Sequence, residues 1–224
     1  MTPALFDTWT EKYESWFATP VGQFVKRYES ELLLALLDPL PGESILDVGC
    51  GTGIFTQDIL GCGARVTGVD VSIPMLNRAI TRLGDAGLNG ICADMSALPF
   101  ADNSFDKVYA MTVIEFAANA ERVIAELNRV ARKGGLVVVT TLNSLSPWAE
   151  QRQKKGQEGH PLFQHVRFRS PEDVRRIVPG NCAIATAIHF EKNTPVALIP
   201  ERETEGKKQQ LDTGALLAVQ WRKD

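Results

Sequence analysis

The sequence of 224 residues predicts an α/β fold, with a mostly parallel sheet and helices on both of its faces. Three observations predict it. Strand-like and helix-like segments alternate from residue 44 to residue 141, the pattern of consecutive βαβ units. The run Leu136-Val-Val-Val-Thr-Thr141 is continuously apolar up to its two threonines, as is typical of a strand buried in a parallel sheet. A glycine-rich turn joins the first strand to the following helix, a connection common in nucleotide-binding α/β folds.

The first 40 residues predict two helices. Thr19-Pro20 is a turn signal between them, and the second helix runs from about residue 21 to 37 before Pro39-Leu-Pro-Gly42 stops it. Aromatic residues recur at helical spacing in the first helix: Phe6, Trp9, Tyr13, Trp16 and Phe17. Core packing explains most of this stripe. The alternative is a lid over a pocket, with Tyr13 and Trp16 facing the pocket.

The predicted strands and helices then follow in order. The strands span about residues 44–48, 65–69, 90–93, 105–111, 136–141, 182–190 and 215–221, and the helices about residues 54–60, 73–83, 119–131 and 170–178. Residues 143–168 carry prolines, glycines and a basic patch around Arg152, Lys154 and Lys155, so they predict a long loop of the kind that often covers an active site. A polar stretch at 201–210 joins the last two strands.

Composition and length predict one domain, residues 1–224. We divide it into a helical lid (1–40), a ligand-binding core (44–142), a second loop or lid (143–169) and a closing helix with two strands (170–224). The net charge of −3 gives no basic footprint for nucleic acid. Without a membrane-length apolar run or a signal-peptide pattern, we expect a cytoplasmic protein. The four scattered cysteines lack metal-site spacing, so no metal is expected. We expect the protein to be a monomer or a homodimer.

The turn Gly49-Cys-Gly-Thr-Gly53 predicts a nucleotide-like ligand, because glycines let a ligand approach the backbone at a helix N-terminus. Asp70 ends the second strand, about twenty residues beyond the turn, where a carboxylate accepts from ribose hydroxyls. Asp94 ends the third strand along the same edge and could accept from an exocyclic amine such as adenine N6.

Two residues argue against a nicotinamide cofactor. Ile54 stands where that loop prefers a glycine, and Asp47 places negative charge beside the turn, where a pyrophosphate would be repelled. No Gly-Lys-Ser/Thr follows, so this is not a Walker loop. The pattern favours an adenosine-bearing cofactor without pyrophosphate.

The motifs resemble those of class I S-adenosylmethionine-dependent methyltransferases, specifically the small-molecule group related to ubiquinone and menaquinone biosynthesis. Four segments carry the resemblance in the expected order: Ile45-Leu-Asp-Val-Gly-Cys-Gly-Thr-Gly53, Val69-Asp-Val-Ser72 with Met75, Ala93 to Asp106, and Arg129-Val-Ala-Arg-Lys-Gly-Gly135. The resemblance implies a Rossmann-like, seven-stranded sheet whose last strand is antiparallel between its neighbours. It implies S-adenosylmethionine as cofactor, with S-adenosylhomocysteine as product.

The resemblance also implies the cofactor contacts. Gly49 and Gly51 would flank the methionine part, Asp70 would bind the ribose, Val71 or Met75 would pack on adenine, and Asp94 with Met95 would read its amine edge. We also expect cofactor contacts from the neighbouring Asp47 and Cys50, and from Met111 and Thr112 after the fourth strand. Family members often carry a histidine there, where this chain has Val113-Ile-Glu-Phe116, so no histidine mechanism is carried over.

Methyl transfer to a small-molecule acceptor by in-line displacement is therefore the leading prediction, with positioning supplying much of the acceleration. Candidates for a general base are Tyr13, Glu115, His160 and His165, and none is singled out. The expected substrate-side residues are Tyr13, Trp16, Trp148 and Arg167, the last as a binder of anions or as part of a solvated patch. A nicotinamide-dependent oxidoreductase and a non-catalytic cofactor-binding protein remain as alternatives.

Overall fold

The computed structural model describes residues 4–224, so the first three residues of the predicted lid lie outside the described part. Its helices are α1 Thr10–Ala18, α2 Pro20–Leu37, α3 Thr56–Gly61, α4 Ile73–Leu83, α5 Ala120–Val130, α6 Pro147–Gln157, α7 Pro171–Ile177 and α8 Ile199–Lys208. Its strands are β1 Ser44–Val48, β2 Arg65–Asp70, β3 Asn89–Cys92, β4 Phe105–Ala110, β5 Ala131–Leu142, β6 Cys182–Ala187 and β7 Leu216–Arg222.

The seven strands form one sheet in the order β3-β2-β1-β4-β5-β7-β6. The first five are parallel, and β7 is antiparallel to both β5 and β6. This confirms the predicted fold class, including the reversed last strand between its neighbours. The order of the strands reverses between β1 and β4, and in open α/β sheets the crevice at such a point binds ligands.

Helices cover both faces of the sheet, as predicted. On one face α2, α3 and α4 pack around Leu33, Ile59 and Ala79. On the other face α5 and α7 contribute Leu127 and Val174, which pack against β4 and β5. Sequence signals position these helices: Thr19, Ser72, Asn119, Ser146 and Ser170 each cap one, with the side-chain oxygen accepting a backbone N–H.

The N-terminal helix α1 packs on helices α2 and α4, close to the carboxyl ends of β1 and β2. Its Glu14 pairs with Arg78 (Nη2 to Oε2, 2.7 Å) and with Arg82, both on α4. Asp7, just before α1, accepts from the Ser72 hydroxyl at 2.7 Å. These contacts fix the aromatic N-terminal segment over the β2–α4 connection.

The structure differs from the sequence prediction at four places. Strand β6, predicted over residues 182–190, ends at Ala187, because the next residue, Ile188, has a φ of +66°. Residues 147–157, predicted as loop, form helix α6, and residues 199–208, predicted as a polar connector, form helix α8. Strand β5 begins at Ala131, earlier than predicted, because the turn around Gly134 pairs with Lys223 near the C-terminus.

None of the helices in residues 4–224 is long and apolar enough to cross a membrane. No group of three or more metal-ligating side chains gathers in that range.

Candidate active site

The glycine turn after β1 contains two backbone conformations that only glycine adopts easily. Gly49 and Gly51 have φ angles of +75° and +53°. A Cβ on Gly49 would lie 2.6 Å from a methyl of Val113, so a side chain there would clash. A Cβ on Gly51 would meet no atom within 4 Å, which leaves space beside this backbone for a ligand.

Asp70, at the end of β2, organises this turn. Its Oδ2 accepts from the Gly51 N–H and its Oδ1 from the Ser72 N–H, both at 2.8 Å. Burial raises the pKa of Asp70, and the hydrogen bonds from backbone N–H groups partly offset that rise. A carboxylate has about four acceptor positions, so these two bonds leave capacity for further donors.

Asp47 and Cys50 lie behind the turn and do not line the cavity in front of it. The Asp47 carboxylate accepts from the hydroxyls of Tyr109 and Thr56, each at 2.6 Å, and so joins β1, β4 and α3. Burial raises its pKa to about 7. The Cys50 thiol packs against Gly68 on β2.

A cavity of about 780 Å³ opens in front of the turn, at the carboxyl edge of the sheet. Most of the predicted site residues line it together: Tyr13, Trp16, Gly49, Gly51, Asp70, Val71, Met75, Asp94, Met95, Met111, Thr112, Glu115, Trp148 and His160. Asp47, Cys50, His165 and Arg167 do not. Arg167 is exposed and donates to the Ala118 carbonyl at 2.9 Å, so its guanidinium is engaged outside the cavity.

One wall of the cavity is built from strand ends. Asp94 accepts from the Ser96 N–H at 2.7 Å, which shapes the chain around Met95 after β3. Thr112, after β4, has a φ of +47°, an uncommon conformation for a β-branched residue. Its N–H donates to the Thr140 hydroxyl at 2.9 Å, and this bond helps to hold the strained residue at the cavity.

The opposite wall is aromatic and comes from α1, α6 and the segment after α6. The rings of Trp16 and Trp148 lie 6.2 Å apart, and His160 stacks on Phe163 with ring centroids 4.4 Å apart. This wall agrees with the predicted lid segments, although the second of them contains a helix.

Two buried carboxyl groups, Glu29 on α2 and Glu115 after β4, also line the cavity. Glu115 is fully buried, its Oε2 accepts from Thr141 at 3.4 Å, and its Oε1 has no partner within residues 4–224. Burial raises the pKa of Glu29 to about 8 and that of Glu115 to about 7. Arg152 on α6 faces both and lowers both pKa values.

The four candidate bases differ in these surroundings. Burial, and then the charges of Glu29, Asp47 and other carboxylates, raise the pKa of Tyr13 far above its ordinary value, so this phenol holds its proton. The His160 Nδ1 accepts from the Leu162 N–H at 3.2 Å, and His165 lies outside the cavity. Glu115 alone among the four has a buried side-chain oxygen without a hydrogen-bond partner among the described residues.

Glu29, Arg152 and Lys192 line the cavity but were not predicted as site residues. Arg152 was noted only as part of a basic patch. Helix α2 has 18 residues, and its charged residues Lys26, Arg27, Glu29 and Glu31 lie close together, so charge alone does not distinguish the buried glutamate from its exposed neighbour. The one usable signal was the position of Glu29 on the apolar side of α2, four residues after Val25.

Comparison with known proteins agrees with this geometry. A family model described as "Methyltransferase domain" matches residues 46–139. The chain is 37% identical over 120 residues to malonyl-[acyl-carrier protein] O-methyltransferase of Pseudescherichia vulneris, covering 54% of this chain and 47% of that protein. It is 32% identical over 145 residues to demethylmenaquinone methyltransferase of Thermobifida fusca, covering 63% and 61%. The matches span about half the length of the first of these curated relatives.

Among solved structures, a possible histamine N-methyltransferase from Thermotoga maritima superimposes with a TM-score of 0.76, covering 98% of this chain and 99% of that one. The two sequences are 21% identical, so this likeness concerns the fold.

Proposed function

We propose that the chain is an S-adenosylmethionine-dependent methyltransferase, which transfers the methyl group of that cofactor to a small-molecule acceptor. The observation that carries the proposal is the single cavity in which the glycine turn and two strand-end carboxylates face an aromatic wall. One side suits an adenosine-bearing cofactor, and the other side suits an apolar acceptor.

The cofactor side is assigned to the strand ends. Gly51 offers the open backbone space for the methionine part, and Asp70 binds the ribose hydroxyls with the acceptor positions that its two backbone bonds leave free. Met75 and Val71 pack on adenine, Asp94 and the backbone of Met95 bind its amine edge, and Met111 and Thr112 close the other side. Asp47 acts from behind, by fixing the turn.

The reaction is an in-line displacement at carbon. When bound, the cofactor supplies an electrophilic methyl group on sulfur and leaves as a neutral thioether. The chain contributes positioning, because holding donor and acceptor in contact removes much of the barrier. Helices α1 and α6 exclude water from this contact.

Glu115 is the residue we assign to the acceptor. Its free Oε1 and its pKa of about 7 let it accept a hydrogen bond, or a proton, from an acceptor that carries one. Tyr13 is assigned a positioning role, because its proton is held too firmly for a base. The chain acts as one domain, in which residues 4–40 and 143–169 cover the core at 44–142.

Calorimetry with S-adenosylhomocysteine and with NADH tests the cofactor, and a methyl-transfer screen over quinol, thiol, amine and carboxylate acceptors tests the reaction. We expect tight binding of S-adenosylhomocysteine, no heat with NADH, and transfer to at least one acceptor class. NADH binding would indicate an oxidoreductase. Binding of S-adenosylhomocysteine with no transfer to any class would indicate a non-catalytic cofactor-binding protein.

A further inference from the structure

Arg152 is a cation in the cavity without a partner. Its guanidinium carbon lies 5.0 Å from the Trp148 ring centroid and 5.9 Å from that of Phe163, so two aromatic faces hold it. Within residues 4–224 it makes no hydrogen bond and no ion pair. Arg122, which also lines the cavity, by contrast donates to the Ser96 carbonyl at 2.8 Å.

Two lysines join Arg152 at the same end of the cavity. Lys155 lies one turn further along α6, and the ammonium of Lys192 lies 5.3 Å from the Trp16 ring centroid. Burial lowers the pKa of Lys192, and the positive charges of Lys155 and Arg152 lower it further. Three cations so close repel one another, and a bound anion would relieve that repulsion.

The buried carboxyl groups do not supply this anion. Neither Glu29 nor Glu115 forms an ion pair with Arg152 within 4 Å among the described residues. Burial raises both of their pKa values, so at neutral pH Glu29 is mostly protonated and Glu115 is about half protonated. The ionised fraction of these two carboxyl groups repels a bound anion. Each further negative charge on the ligand increases that repulsion. A monoanion is therefore favoured over a dianion.

The planar guanidinium matches one kind of monoanion best. Its N–H donors form a fixed fork that binds a carboxylate through two parallel hydrogen bonds. Arg152 lies over the Trp148 and Phe163 rings and makes no hydrogen bond within residues 4–224, so its N–H donors are available to a ligand in the cavity. The rings of Trp9, Trp16, Trp148 and Phe163 around it favour a flat apolar body.

We infer that the methyl acceptor is a carboxylate with a flat apolar body, and that Arg152 binds the carboxylate while Lys155 and Lys192 add positive charge at the rim. This rests on the proposed function, because it names the substrate class of that site. It assigns anion binding to Arg152 in place of Arg167, whose guanidinium bonds elsewhere.

The test is calorimetric, on the full chain saturated with S-adenosylhomocysteine. The probes share one skeleton: 3-phenylpropanoate, 3-phenylpropanamide, 3-phenylpropylammonium and 2-phenylethyl phosphate. We expect the carboxylate to bind at least about tenfold more tightly than the amide, as charge-assisted bonds to a guanidinium require. Arg152→Gln should abolish this preference, and Arg152→Lys, which keeps the charge and loses the fork, should retain part of it.

The control is Arg175→Gln on α7, an exposed arginine without a partner in the described residues, and it should keep the full preference. Equal affinity for amide and carboxylate, tighter binding of the ammonium or of the phosphate, or no binding of any probe below about 10 mM would each overturn the inference. S-adenosylhomocysteine affinity, measured first on every variant, separates this failure from that of the proposed function. A protein that does not bind S-adenosylhomocysteine fails the proposed function itself.

Discussion

At the scale of residues, Asp70 combines a structural and a proposed binding role in one carboxylate. It fixes the glycine turn through Gly51 and the start of α4 through Ser72, and we assign its remaining acceptor positions to ribose. Asp70→Ala should weaken S-adenosylhomocysteine binding by about 1–3 kcal/mol, the usual cost of losing charge-assisted hydrogen bonds. Isothermal calorimetry measures this directly.

Asp94→Ala is the matched control at the neighbouring strand end. Asp94 is exposed, and solvent competes for the bonds it makes, so we expect a smaller loss of affinity there. Unchanged affinity in Asp70→Ala would contradict the ribose assignment, whatever the result for Asp94.

Glu29 makes the stability of the folded chain depend on pH. Burial raises its pKa from 4.5 to about 8 in the folded protein. Between those pH values the folded chain therefore binds more protons than the unfolded chain, so the free energy of unfolding falls as the pH rises. Glu29→Gln removes this contribution, and its stability relative to the parent should increase across that window by up to about 1.4 kcal/mol per pH unit.

Urea unfolding at pH 5, 6, 7 and 8 measures the difference. The raised pKa values of Asp47 and Glu115 also lower the free energy of unfolding as the pH rises. They do so in the parent and in the variant alike, so the difference between the two proteins isolates Glu29. Glu31→Gln, an exposed position on the same helix, should show little of this trend. A constant difference between Glu29→Gln and the parent across the four pH values would show that Glu29 is ionised in the folded state.

The site residues divide by how they are positioned. Asp70 and Asp94 follow strands directly, and parallel strands bring such positions to one edge, so the sequence predicts that they lie together. Glu29 and Arg152 lie on helices, and their burial depends on how those helices pack on the sheet. The position of Glu29 on the apolar side of α2 indicates burial, but no local pattern shows that it and Arg152 line the same cavity, which only the structure reveals.

At the scale of elements, Glu14 attaches helix α1, the proposed lid, to α4 through Arg78 and Arg82. The arginines are partly exposed, so we expect the pairs together to contribute only about 1 kcal/mol. Glu14→Gln should therefore increase amide hydrogen exchange in residues 10–18 about fivefold, with little change in the global free energy of unfolding.

Glu11→Gln is the control on the same helix, because Glu11 is exposed and forms no ion pair within the described residues. The effect of Glu14→Gln should also shrink in high salt, which screens partly exposed charges. Exchange in α1 that is the same in both variants would show that packing of the aromatic residues, and not the ion pairs, holds the lid closed.

The two unpredicted helices show where periodicity fails. In α6 the start signal is present, since Ser146 caps the helix and Pro147 follows, but the polar run after Ala149 lacks an apolar stripe. In α8 the buried face consists of Ile199, Glu203 and Gly206, and Glu203 is accommodated by the backbone N–H and ring of His189. A helix that buries a glutamate against a distant histidine cannot be recognised from hydrophobic periodicity.

At the scale of the whole molecule, the cavity lies where the sheet order reverses between β1 and β4, and elements distant in sequence close it. The N-terminal segment covers it from one side, and α6 with the segment after it covers it from the other. The strand alternation was sufficient to predict the sheet and the edge at which the glycine turn and the strand-end carboxylates lie together. The two covering segments are distant in sequence and meet through Trp16 and Trp148, a contact that the alternation of strands and helices does not predict.

Ligand binding should therefore stabilise both covers together. A ligand that binds only the folded state, at 100 times its dissociation constant, adds about 2.7 kcal/mol to the free energy of unfolding. For a domain of this size that corresponds to a rise in melting temperature of roughly 5–10 °C, measurable by calorimetry with S-adenosylhomocysteine. Hydrogen exchange should slow in residues 10–18 and 147–157 as well as in the glycine turn. The slowing should be larger there than in α7, which packs on the opposite face of the sheet. Protection confined to the glycine turn and β2 would show that α1 and α6 do not close on the ligand, and the lid assignment would then fail even if the cofactor assignment holds.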